Sequence, residues 1–155
     1  MKNNRRTPRV DLDAADHQIL STLTDNARVS MADLARLLGM SPQSAADRMR
    51  RLEDLGVIAG FTVKLDREVL GLAVGAYIRI RPAMGELPRV ASLLADIREI
   101  VECDRITGDD CFIAKVFVAR IEDLERVIDR LIPFAQTNTS IIQSSPVKRR
   151  ALKYS

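Results

Sequence analysis

The chain has 155 residues, 46% hydrophobic and 29% charged, an ordinary balance for a soluble globular protein of one domain or two small ones. No apolar run approaches the ~20 residues needed to cross a bilayer, and no apolar segment of the signal-peptide type follows the start MKNNRRTPRV, so a cytoplasmic protein without membrane association is expected. The net charge of +3 is gathered at the ends: Lys2, Arg5, Arg6 and Arg9 open the chain, Lys148, Arg149, Arg150 and Lys153 nearly close it, and no acid lies among either group. Such tails either contact nucleic-acid phosphates or remain solvated and disordered.

After a basic arm over residues 1–11, Asp13 caps a first helix that runs to about Thr24. Its apolar side is Ile19, Leu20 and Leu23 with Ala15 one turn earlier, and Asp25-Asn26 end it. Ser30 with Asp33 three residues on is a capping-box-like start to a second helix, whose buried side is Leu34, Ala35, Leu37 and Leu38. Gly39 stops it, because glycine tolerates the left-handed conformation of a helix end. Ser41 and Pro42 then cap and open a third helix. Ala45, Met49, Leu52 and Leu55 face inward and Gly56 closes the helix, leaving Gln43, Ser44, Asp47, Arg48, Arg50 and Arg51 outward.

Two capped helices around a glycine turn, the second polar and arginine-rich on its free face, are what a major-groove reader needs. An arginine fork bridges guanine or clamps a phosphate, Gln43 can read adenine, and Ser44 suits a base or a phosphate. Asp47 either accepts from cytosine or orients Arg50 or Arg51 at helical spacing. The expected DNA-contact set is Ser41, Gln43, Ser44, Asp47, Arg48, Arg50 and Arg51. A plain surface helix laced with ion pairs explains Asp47 with Arg51, but not the turn, the caps and three arginines together.

These helices make a DNA-binding domain over residues 12–58. Residues 59–71 follow as linker: Val57 to Leu65 is rich in β-formers and reads as a wing or connecting strand, and Asp66 to Gly71 as a hinge. A second domain over residues 72–147 reads strand (Leu72–Arg81), helix (Glu86–Ile97), strand (Ile100–Thr107), strand (Asp110–Ala119), helix (Ile121–Ile132) and a strand beginning at Thr139–Ser144. Leu87, Val90, Leu94 and Ile97 form the inner side of its first helix, and Ile121, Leu124, Val127, Ile128 and Leu131 that of its second. This βαββαβ order predicts a ferredoxin-like domain with both helices on one sheet face, so the fold class is α+β. Residues 148–155 form the basic tail.

The third strand is apolar on both sides, Phe112, Ala114, Val116 and Val118 alternating with Cys111, Ile113 and Phe117 around Lys115. Only one face lies under the chain's own helices, so a homodimer packed through the other is expected. If Thr107 pairs with Asp110, Cys103 lies opposite Ala114 and Cys111 opposite Ile106, which puts the sulfurs on opposite faces. A loop one residue longer leaves them several positions apart, so neither register allows a disulfide and both cysteines read as buried small hydrophobes.

The run from Leu12-Asp13, Asp16 and Ile19-Leu20 through Asp25-Asn26-Ala27-Arg28, Leu34-Ala35, Ser41, Arg48, Leu52-Glu53 and Gly56-Val57-Ile58 to Gly60-Phe61 resembles the Lrp/AsnC family, the leucine-responsive or feast/famine regulators. Thr107-Gly108-Asp109-Asp110 is similar to the family's effector loop, and Thr137-Asn138-Thr139-Ser140-Ile141-Ile142 to its threonine-rich final strand. The resemblance covers about residues 11–150. It departs at Cys111, where the family loop often has a carboxylate, and at Ala45 and Met49, where valine or isoleucine is common. It implies a winged helix-turn-helix joined to a RAM (regulation of amino-acid metabolism) domain, dimers that often assemble into octamers, and an amino-acid effector bound near interfaces between dimers. The implied effector residues are Thr107, Gly108, Asp109, Asp110, Thr137 and Thr139.

Chemically, an amino acid needs donors for its carboxylate, which backbone N–H groups around Gly108 supply, and an acceptor for its ammonium, which Asp109 or Asp110 supplies. A plain hairpin turn explains the same glycine and aspartates. An enzyme is not expected: His17 is the only histidine, and neither a glycine-rich phosphate loop nor cysteine–histidine metal spacing occurs, so no cofactor or metal is assigned. The sequence therefore predicts a transcriptional regulator of double-stranded DNA, with an architectural, nucleoid-type DNA-binding protein as the alternative.

Overall fold

The computed structural model of the chain describes residues 10–147, so the basic residues 1–9 of the expected arm and the tail from Lys148 lie outside the described residues. The chain divides between Val63 and Lys64 into two compact units.

The N-terminal unit holds α1 (Ala14–Asp25), α2 (Met31–Leu38) and α3 (Pro42–Asp54). Asp13 caps α1 by accepting the Asp16 N–H at 2.8 Å, and the Asp16 carboxylate returns the bond to the Asp13 N–H at 3.3 Å, a full capping box. At α2 only half of that arrangement forms. Ser30 accepts the Asp33 N–H, but its hydroxyl donates to the Asp33 carboxylate at 2.6 Å, so that carboxylate does not take the expected backbone N–H. Gly39 ends α2 at φ +64°, a conformation costly for any residue with a Cβ. Ser41 caps α3 with Pro42 in its first turn.

The core of this unit is Ile19, Leu34 and Leu52, fully buried, with Leu12, Leu20, Leu23, Val29, Met31, Leu38, Val57 and Ile58 packed around them. Two residues expected inside are exposed instead. Leu37 is 57% exposed and Leu55 44% exposed, because each lies at the rim of its helix's apolar stripe, where the three-helix core is too small to cover it.

Residues 57–65 form no strand, contrary to the expected wing or connecting strand. Their β-forming side chains have no neighbouring strand to supply a ladder among the described residues, and Phe61, Val63 and Leu65 are exposed. At the expected hinge, the Asp66 carboxylate accepts the N–H groups of Glu68 and Val69 and winds residues 66–71 into a capped turn.

The C-terminal unit is β1 (Val74–Pro82), α4 (Leu87–Asp96), β2 (Ile100–Arg105), β3 (Phe112–Val118), α5 (Ile121–Leu131) and β4 (Ala135–Ile141). The antiparallel sheet runs β2-β3-β1-β4, as the βαββαβ order requires. One face carries Ala76, Ile78 and Ile80 of β1 with Phe112, Ala114, Val116 and Val118 of β3. It is closed by Val90, Leu94 and Ile97 from the α4 side and by Leu124, Val127 and Leu131 of α5. Ile121, expected inside, opens α5 at 41% exposure.

The final strand begins four residues before the expected Thr139, since β1 extends to Pro82 and pairs Ala135 there. The β2–β3 register is the first of the two alternatives. Cys103 faces Ala114, and the Ile106 N–H donates to the Cys111 carbonyl at 2.9 Å. Both cysteines are free, but Cys103 is exposed rather than buried, because β2 is the sheet edge.

Both helices of this unit lie on the sheet face that carries Ala76 and Ala114, and neither covers the opposite one. Phe117 lies over Gly75, where an added Cβ would meet the ring at 2.7 Å. The Arg67 guanidinium stacks over that ring, 3.6 Å from its centroid, and Lys115 approaches the Tyr77 ring at 5.2 Å. This face is less apolar than β3 alone suggested, since β1 adds Arg79 and Arg81 and β4 adds Gln136, Asn138 and Ser140.

Candidate DNA interface and effector loop

Helix α3 sorts its expected DNA-contact residues into two groups. Gln43, Asp47 and Arg50 follow one another at helical spacing along the exposed side. Gln43 Nε2 donates to Asp47 Oδ1 at 3.0 Å, and Arg50 pairs with the same oxygen at 3.5 Å. Asp47 therefore orients Arg50, and its expected alternative pair with Arg51 does not form. Ser44 and Ser41 share a hydroxyl contact at 2.9 Å beside the cap bond at 3.2 Å, so the Ser41 oxygen is already engaged by the helix start.

Arg48 and Arg51 reach instead to α1. Arg48 Nη1 donates to Asp13 Oδ2 at 2.7 Å and to Asp16 Oδ1 at 3.0 Å, and Arg51 Nη1 donates to Asp16 Oδ2 at 2.9 Å. Asp16 is 1% exposed, the one buried charged residue among those described. A carboxylate taken from water requires paired donors, and the two arginines supply them. The Asp16 N–H and then the Arg48 guanidinium hold the Asp13 carboxyl below the usual aspartate range, and Asp13 in turn raises Arg48. Together these groups line a polar concavity between α1 and α3, closed off by Asp11, Leu12, Ser44 and Asp47.

The role of Asp13 and Asp16 as arginine partners was not anticipated from the sequence. The signal was present: Asp16, Ile19, Leu20 and Leu23 share one stripe of α1, and an acid in an apolar stripe demands a cation.

In the C-terminal unit, the turn between β2 and β3 carries Thr107, Gly108, Asp109 and Asp110. It is tied down by main-chain bonds, with the Cys111 N–H donating to the Ile80 carbonyl at 3.0 Å. Arg81 at the end of β1 joins it, donating from Nε to the Asp109 carbonyl at 2.9 Å and lying 3.5 Å from Asp109 Oδ2 and 3.8 Å from Asp110 Oδ1. The loop thus presents two carboxylates and a guanidinium, of which Asp109 is 93% exposed.

Thr137 and Thr139 are not brought into this cluster. They pair with Ile80 and Ile78 on β4, two strands from β3, and share the helix-covered face with those isoleucines, whereas alternation puts Arg81 on the other. Arg81 was not among the expected site residues and entered the sequence reading only as the end of a strand. Its distinguishing feature, a place beside the hairpin loop, comes only from strand order.

Among the described residues no group of three or more histidine, cysteine, aspartate or glutamate side chains is placed to hold a metal ion, and no helix is long and apolar enough to cross a membrane.

Two family models match the chain, a winged helix-turn-helix DNA-binding model over residues 12–59 and an Lrp/AsnC ligand binding domain over residues 75–152. The chain is 33% identical over 133 residues to the HTH-type transcriptional regulator LrpC of Bacillus subtilis, covering 86% of this chain and 92% of that protein. It is 34% identical over 139 residues to the regulator AldR of Mycolicibacterium smegmatis, covering 85% and 81%. The solved structure of B. subtilis LrpC superposes with a TM-score of 0.84 at 31% identity, over 90% of this chain and 100% of that one. The feast or famine regulatory protein of M. tuberculosis complexed with L-methionine superposes with a TM-score of 0.84 at 26% identity, over 92% and 99%.

Proposed function

For this chain, which belongs to the Lrp/AsnC family of helix-turn-helix transcriptional regulators, we propose a division of labour in which α3 reads double-stranded DNA and the β2–β3 loop senses an amino acid. The observation that carries the DNA assignment is the construction of α3. Its caps and buried stripe fix the helix, while Gln43, Ser44, Asp47 and Arg50 stay exposed along one side. Arg50 and Gln43 are the base or phosphate readers, oriented through Asp47. Ser41, Arg48 and Arg51 add donors at the helix start and along the α1 side. The site of action is the cytoplasm, where a regulator of this kind meets its DNA.

The loop assignment rests on paired charges. Arg81 offers a fork for an α-carboxylate, and Asp109 and Asp110 accept from an α-ammonium, with main-chain N–H groups at Gly108 adding donors. Both ion pairs to Arg81 are long, so a zwitterion can replace them without breaking a tight contact. Thr137 and Thr139 contribute hydroxyls from a neighbouring copy or from a rearranged strand end.

Two copies pair through the open sheet face around Phe117, Ile113 and Tyr77, and dimers assemble further, to an octamer, around the loops. A dimer sets two α3 helices on half-sites roughly 34–36 Å apart, one DNA turn, or a multiple of that. The effector biases which assembly dominates, and through it the spacing of the readers.

The test is a paired titration of the full chain. Arg50→Ala with Gln43→Ala weakens binding to duplex DNA at least ten-fold if α3 is the reader, and unchanged affinity sinks that assignment. Calorimetry with each of the twenty amino acids, L-methionine first, gives heat that Asp109→Ala or Arg81→Ala abolishes. No heat for any of them, and no effect of any on DNA affinity, returns the chain to the architectural reading.

A further inference from the structure

The carboxylates that hold Arg48 are unequal. Asp16 is buried, and each of its oxygens takes a different arginine, Arg48 at 3.0 Å and Arg51 at 2.9 Å. Releasing either arginine leaves charge in the interior without its counterpart, which is costly. Asp13 is 54% exposed, and its two oxygens have separate partners. Oδ1 accepts the Asp16 N–H and caps α1, whereas Oδ2 accepts from Arg48 at 2.7 Å. Losing Arg48 from Oδ2 leaves the cap intact and an oxygen that water can solvate at once. Arg48 thus has one partner it cannot leave cheaply and one it can. Its Nη1 is occupied by both, while Nε and Nη2 carry the rest of its donors.

We propose that Arg48 is handed from Asp13 to a DNA phosphate while Asp16 keeps hold of it, which makes Asp13 a brake on DNA binding. The inference rests on the reading of α3 as the DNA-contacting helix. A phosphate arriving at Arg48 competes with the Asp13 carboxylate for the same guanidinium and is repelled by it at close range. At about 4 Å in water such a repulsion weakens binding several-fold. Asp13 therefore sets a threshold that the remaining contacts have to exceed, and its removal lowers that threshold without adding any contact. The signature is a pair of effects of opposite sign: losing the Asp13 charge removes an internal ion pair yet strengthens attachment to DNA. A salt bridge remote from the bound phosphate has no such signature, because weakening it either lowers DNA affinity or leaves it alone.

The experiment uses the full chain and a mixed-sequence DNA duplex of about three helical turns, since contact with phosphates does not require the operator. Asp13→Asn and Asp13→Ser both keep an N-cap oxygen, so α1 retains its start. Fluorescence anisotropy at fixed low salt is expected to show binding tightened about three- to ten-fold for both, with melting temperatures equal to or below that of the unmodified chain. Affinity unchanged or weakened in both variants, with melting retained, overturns the brake. The Gln43→Ala, Arg50→Ala double variant separates the two levels. If it weakens binding while the Asp13 variants do not tighten it, the brake is wrong and the α3 reading stands. If it too has no effect, the α3 reading falls and the brake falls with it.

Discussion

Arg48, Arg50 and Arg51 are three arginines within four positions, yet the structure gives them different tasks. Arg51 gives the buried Asp16 one of its two guanidinium partners, while Arg50 meets Asp47 at the surface with 68% of its side chain exposed. Arg51→Ala strips a charged hydrogen bond from an interior carboxylate and is expected to cost the N-terminal unit about 1–3 kcal/mol, whereas Arg50→Ala costs less than about 0.5 kcal/mol. Thermal unfolding of both variants checks the contrast. Acid is the second probe at this scale. Asp13 and Asp33 are both held below 3.8, Asp13 by the Asp16 N–H and Arg48, Asp33 by the Ser30 hydroxyl and Arg36. A carboxylate depressed on folding stabilises the fold above its unfolded value and loses that contribution as pH falls through its folded one. The helical signal of the N-terminal unit is therefore expected to hold from neutral pH to about 3.8 and to decline below it, with a shallower decline in Asp13→Asn.

At the scale of the element, caps were the readable part. Asp13, Ser30, Gly39, Ser41 and Pro42 each act within three residues of themselves, so local chemistry marks all three helix starts. The β2–β3 register was legible for the same reason, being set by a short loop. What depends on distant neighbours was less so. The beginning of β4 follows from how far β1 extends, and residues 57–65 have strand composition but no ladder. The candidate site divides along the same line. The exposed side of α3 could be read from periodicity, while Asp16 beneath Arg51 and Arg81 beside Asp109 required tertiary contact. Within the sheet, Gly75 lies under the Phe117 ring, with Ile142 Cδ1 3.2 Å from an added Cβ. Gly75→Ala is expected to displace that ring from Arg67 and to cost about 1–3 kcal/mol, measured by denaturant unfolding.

For the whole molecule, two compact units on one chain suit the proposed division of labour, in which one surface touches DNA and another answers a small molecule. Their coupling requires that copies assemble, since a single α3 covers one short half-site. Light scattering of the full chain is expected to give a mass of at least two chains, and Phe117→Asp, which puts a charge on the open sheet face, to reduce it to one. Repeating the measurement with each amino acid is expected to change the mass or the DNA affinity for at least one.

The β2–β3 loop is anchored through its backbone, by the Ile106 N–H to the Cys111 carbonyl, the Cys111 N–H to the Ile80 carbonyl and the Asp109 carbonyl to Arg81. None of these anchors except the last uses a side chain, and none uses the side chains of residues 107–110. Gly108 is tied to the fold by its φ of +111°, but Asp109 and Asp110 can drift to other residues while these backbone anchors stay in place. A lineage carrying this loop can therefore vary its two carboxylates, and with them the ligand, at little risk to the protein that displays it.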